Sequence, residues 1–80
     1  MKIQAELSLY PLRTRTYEKS IEAFISGLSQ SAITVIPGEM STLITGENDA
    51  VFQCVSECYE RAAMVEDVIL VAKFSNACAV

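Results

Sequence analysis

The sequence predicts an α+β sandwich with the element order β-α-β-β-α-β, in which four antiparallel strands carry two helices on one face. Three observations lead there. The stretch from Ile3 to Leu12 alternates strictly between apolar and polar side chains. Two later segments repeat their apolar residues at helical spacing. Between those segments, two strand-like runs flank Pro37-Gly38, a turn signal that makes them a hairpin.

In the first strand Ile3, Ala5, Leu7 and Leu9 point one way and Gln4, Glu6, Ser8 and Tyr10 the other. The apolar set requires a core. The second set mixes an amide, a carboxylate, a hydroxyl and a phenol, which suits water, a small polar ligand or a partner sheet. Pro11 ends the ladder because it has no N–H to donate. A short basic loop, Leu12-Arg13-Thr14-Arg15, leads to Thr16 as N-cap, with Glu18 in the first turn complementing the helix dipole. The helix runs from Tyr17 to about Gln30, with Ile21, Phe24, Ile25 and Leu28 on its apolar face. Gly27 costs up to ~1 kcal/mol relative to alanine, which close packing on the sheet would offset. Ser29-Gln30-Ser31 reads as the exit.

Ala32 to Ile36 is β-branched and forms the second strand; Met40 to Thr45 forms the third, ended by Gly46. Asn48 or Asp49 caps the second helix, which continues to about Met64 with Val51, Phe52, Val55, Tyr59 and Ala62 as its apolar face. The last strand, Asp67 to Phe74, is nearly continuous in apolar residues, as a strand covered on both faces would be. Two β-α-β halves in this order give the ferredoxin-like arrangement, with the first and third strands as central neighbours. That topology brings Glu6, Ser8 and Tyr10 near Met40-Ser41-Thr42. It leaves the polar set of the first strand, with Ile69, Val71 and Lys73, on a sheet face that the helices do not cover.

One domain, residues 1–80, accounts for the whole sequence. A chain of this size buries only about 60% of its unfolded surface, yet 51% of its residues are hydrophobic and 20% charged. Self-association as a homodimer or a dimer of dimers would cover the surplus. The net charge of −4 and the lack of a Lys/Arg cluster argue against a nucleic-acid role. No run reaches the ~20 apolar residues of a membrane span, and Glu6 falls too early for a signal peptide's apolar region. With three cysteines, an odd count, the chain reads as soluble, cytoplasmic and reduced.

The chain has no histidine, hence no imidazole base, and no glycine-rich phosphate loop. Cys54 and Cys58 share one side of a helix but lack the further ligands that a metal centre needs, and read as small apolar side chains; Cys78 reads as a free thiol in the tail. Lys73 reads as an ion-pair partner rather than a Schiff-base lysine. Glu6, Glu39 and Glu47 are the acids of interest, but nothing in their spacing requires acid–base catalysis. The chain is therefore not expected to be an enzyme, and no cofactor is expected.

The stretches Glu6-Leu7-Ser8-Leu9-Tyr10-Pro11-Leu12 and Gly38-Glu39-Met40-Ser41-Thr42-Leu43-Ile44-Thr45-Gly46-Glu47, followed by a helix and a strand with Lys73, resemble the YkoF-like thiamine-binding family. The resemblance covers nearly the whole chain and implies a ferredoxin-like domain that binds thiamine or its hydroxymethylpyrimidine half, linked to vitamin uptake or salvage. Some relatives carry two repeats; this chain has one, so two copies would supply what the double form holds internally. The residues suit such a ligand. Ser8, Ser41 and Thr42 offer hydroxyls to a ring edge, Glu6 or Glu39 can meet an exocyclic amine or a thiazolium charge, and Tyr10 and Met40 can cover a ring face. The alternatives are a homo-oligomeric interaction module and a regulatory domain that senses another small molecule, since similar topologies serve both.

Overall fold

The computed structural model describes residues 1–29 and 32–77; Gln30, Ser31 and Cys78, on which the helix exit and the free tail thiol fell, lie outside them. The elements are β1 (Lys2–Pro11), α1 (Tyr17–Leu28), β2 (Thr34–Pro37), β3 (Thr42–Glu47), α2 (Asn48–Val65) and β4 (Val68–Ser75). They form one four-stranded antiparallel sheet in the order β2-β3-β1-β4, with both helices packed on the same core. This is the ferredoxin-like sandwich that the sequence predicts.

The alternation of β1 fixes the layers. Ile3, Ala5, Leu7 and Leu9 are buried, and Gln4, Glu6 and Ser8 between them are half-buried on the other face. Leu7, Leu28, Ile44 and Val51 are the largest fully buried side chains, each removing enough apolar surface to contribute about 1.5–3 kcal/mol. β1 pairs with β3 from Lys2↔Glu47 to Leu7↔Thr42 and with β4 from Gln4↔Ser75 to Pro11↔Val68. The first strand is thus central and bonded to the two strands farthest from it in sequence.

Several local expectations are corrected. The core stripe of α2 is Val51, Cys54, Val55 and Cys58, with Ala62 packed beside it. Phe52 and Tyr59 are instead 45% and 43% exposed. The helix is rotated so that its small thiols meet the tightly packed α1, while Phe52 stacks on Phe74 of β4 with ring centroids 4.2 Å apart. Gly27 serves contact between the helices rather than with the sheet. A Cβ there would stand 3.2 Å from the Arg61 guanidinium and 3.3 Å from the Cys58 Sγ. Glu47, not Asn48 or Asp49, occupies the N-cap position of α2, and neither it nor Thr16 at the start of α1 makes a side-chain capping bond. The Thr16 N–H donates to the Thr14 hydroxyl instead, at 3.1 Å.

β4 is covered on one face only. Val68, Leu70 and Ala72 pack on the core, while Ile69 and Val71, 50% and 45% exposed, stand on the open face with Lys73. Its start is tied to the end of β1, where the Leu12 N–H donates to the Asp67 carbonyl at 2.8 Å and Arg13 forms an ion pair with Asp67.

Candidate functional site: a cleft where the sheet opens

The ladder between β1 and β3 stops at Leu7↔Thr42, but β1 continues to Pro11. From Ser8 onward β1 is paired by β4 alone. Its other edge meets the turn of residues 38–41, which the Gly38 N–H closes by donating to the Ser41 carbonyl at 2.9 Å. The interruption opens a cleft of about 380 Å³. One wall is Leu7 to Pro11, a second is Gly38 to Thr42, and the third is the start of α1, with Tyr17, Ile21, Phe24 and Ile25. A strand edge without a neighbouring ladder offers backbone donors and acceptors to whatever lies beside it.

The cleft brings together Ser8, Tyr10, Glu39, Met40, Ser41 and Thr42, six of the sequence-predicted site residues. Thr42 pairs with Leu7, so it faces the helices, and it is only 6% exposed. Ser8 and Tyr10 alternate toward the open face and stand at the rim. Met40 is 91% exposed at the tip of the turn.

Glu6 does not line the cleft. Its Oε2 accepts a hydrogen bond from the Ser41 hydroxyl at 3.0 Å, and its Oε1 lies 3.4 Å from the Lys73 Nζ. The carboxylate therefore braces the turn from the open face and holds the lysine in an ion pair within the sheet. At this exposure such a pair is worth about 0–1 kcal/mol.

The helical wall is what sequence reasoning missed. The helical spacing places Ile21 and Ile25 with the core and gives Tyr17 no role, yet all three border the cleft. The signal was present in the apolar stripe, which extends N-terminally to Tyr17, one turn beyond what covering the sheet requires.

The family model of the thiamine-binding proteins matches residues 5–76. No curated protein matches the chain. Solved structures share its fold. A protein from Streptococcus pneumoniae superposes with a TM-score of 0.87 at 23% identity, over 94% of this chain and 86% of that one. A domain of unknown function from Bacillus cereus gives 0.83 at 20% identity, over 100% and 82% of the two chains. A candidate thiamine biosynthesis/salvage protein from Thermotoga maritima gives 0.84 at 15% identity, over 100% and 89%. The family match spans both walls that β1 and the 38–42 segment contribute to the cleft, and by that match the chain belongs to the thiamine-binding protein family.

Proposed function

We propose that this protein binds thiamine or its hydroxymethylpyrimidine half in the cleft beside Ser8–Pro11, without changing it chemically, in the service of vitamin uptake or salvage. The observation that carries the reading is the convergence of Ser8, Tyr10, Glu39, Met40, Ser41 and Thr42 around one cleft, in a chain that belongs to the thiamine-binding family. A cleft of about 380 Å³ is at the small end of the ~300–1,000 Å³ that ligand sites occupy. Its floor of Leu7, Leu9 and Phe24 is apolar, as a flat heteroaromatic ring requires, and its hydroxyls and open strand edge lie where ring nitrogens and an amine need partners. The relative from Thermotoga maritima, with its connection to thiamine biosynthesis or salvage, agrees with this reading. Glu6 acts here as a brace for Ser41 rather than as a direct contact.

Calorimetric titration with thiamine and with hydroxymethylpyrimidine tests the proposal. The Thr42→Val variant keeps the side-chain shape and removes one hydroxyl. It is expected to weaken binding up to about tenfold, the equivalent of one neutral hydrogen bond of ~0.5–1.5 kcal/mol, with the fold unchanged. Equal affinities would remove Thr42 from the site, and no heat with any thiamine compound would refute the reading.

A second reading is favoured by Tyr10, Ile69 and Val71, which stand exposed together on the uncovered sheet face. On this reading the domain assembles through that face as a homodimer or a dimer of dimers. The two surfaces meet at Tyr10, which lines the rim of the cleft and stands on the open face, so assembly through that face would bring a second copy up to the cleft.

A further inference from the structure

We infer that the cleft selects an unphosphorylated, positively charged ligand, with Glu39 as the residue that reads the charge. The inference rests on the proposed thiamine-type site and names the form of the ligand that the site accepts.

Charge is the first argument. Among the described residues no lysine or arginine lines the cleft and Glu39 is the only carboxylate in the lining, and the chain has no histidine. Arg13 pairs with Asp67 and Lys73 with Glu6 on the open face, and neither these two nor Arg15 lines the cleft. A phosphate ester brings about −1.5 to −2 charges. It would enter a site with no side-chain cation to meet it, beside a carboxylate, in a chain of net charge −4.

Backbone geometry is the second argument. Turns hold phosphates by converging their amides on the anion. Here the Gly38 amide is already spent on the Ser41 carbonyl at 2.9 Å. The first turn of α1, whose amides could also attract an anion, carries Glu18, and the Thr16 amide is spent on the Thr14 hydroxyl.

A cation gains from the same features. A thiazolium ring near Glu39 meets an exposed carboxylate at the rim of the cleft, an attraction that salt screens. Neutral hydroxymethylpyrimidine lacks that gain. The order expected is thiamine first, then hydroxymethylpyrimidine, with the phosphates weakest.

The test is calorimetric titration of the full chain with thiamine, thiamine monophosphate, thiamine diphosphate and hydroxymethylpyrimidine, each at low salt and at 1 M salt. Thiamine is expected to bind about tenfold or more tightly than its monophosphate at low salt. Its advantage over hydroxymethylpyrimidine should shrink at 1 M salt, where the screening length falls to about 3 Å. In the Glu39→Gln variant thiamine should lose about three- to tenfold in affinity while hydroxymethylpyrimidine is unaffected. Glu39 is exposed on the turn, and the melting temperature of the variant reports whether its fold is kept. Should the variant not fold, the salt series on the wild type still decides. Phosphorylated forms binding as tightly as thiamine, or tighter, would overturn the inference and leave the thiamine site standing. So would a preference for thiamine over hydroxymethylpyrimidine that persists unchanged in Glu39→Gln or in 1 M salt. No heat with any of the four ligands would refute the site itself.

Discussion

Cys58 belongs to the core stripe of α2, and its surroundings set its chemistry. Burial pushes its thiol up from 9.0 to about 11; the neighbouring Cys54 thiol adds to the shift, and the Arg61 guanidinium partly opposes it. The thiolate is the nucleophile, so Cys58 should be inert at neutral pH in the folded protein. In a Cys78→Ser background, a thiol reagent at pH 8 is expected to modify Cys54 and Cys58 only after denaturant is added. Rapid labelling of the native protein would contradict the packing described. The linkage has a definite sign. The folded state holds this proton more tightly than the unfolded state, so the associated stability is intact below about pH 9 and is lost as pH rises through about 11. These two cysteines also show where the sequence misleads. By side-chain size Phe52 and Tyr59 have more apolar area to bury than the two thiols, and each lies beside a residue of the true stripe. What decides is space. Gly27 lets α1 approach Cys58 closely, and a ring at that position has nowhere to go.

Among the elements, the turn between β2 and β3 controls the cleft. A Cβ on Gly38 would lie 2.8 Å from the Ser41 carbonyl oxygen, a backbone atom that can retreat only by opening the turn. Gly38→Ala is therefore expected to cost about 1–3 kcal/mol and to weaken ligand binding more than Thr42→Val does, because Glu39 to Thr42 shift together. Thermal unfolding and titration of the same variant would check both parts. Much at this scale was legible beforehand. The alternation of β1, the apolar stripe of α1 and the Pro37-Gly38 signal gave the element order and the pairing of β1 with β3. The starting residue of β3 was less so. The sequence suggested Met40, whereas pairing begins at Thr42. A strand's side chains change face at every residue. The side of the sheet on which Thr42 stands therefore depends on the register, and composition carries no record of it. The cleft exists because β3 starts late.

For the molecule as a whole, the apolar excess that the composition announced has a location. Ile69, Val71 and Tyr10 lie exposed on the open face around the Glu6–Lys73 pair. Self-association through that face is the expected outcome, with a stable interface burying more than ~1,200 Å² in total. Sedimentation equilibrium at micromolar concentration should give a dimer or tetramer for the wild type. Val71→Glu should move it toward the monomer, because a carboxylate would then be buried against an apolar surface. A wild-type monomer would count against assembly without touching the cleft. Among the described residues no helix is long and apolar enough to cross a membrane.

The central position of β1 has a consequence for how the molecule comes into being. The strand translated first is bonded on one side to β3 and on the other to β4, with Gln4 opposite Ser75 and Lys2 opposite Glu47. During synthesis Ile3, Ala5, Leu7 and Leu9 emerge before the rest of the sheet, meet β3 only after α1 and β2 have emerged, and gain β4 last. Long-range pairings of this kind slow folding, since the loop entropy must be spent before the contacts form. The strand thus has two open edges until β3 emerges and one until β4 follows, a state that invites pairing with a second nascent copy. Completing β4 is the step that closes that window.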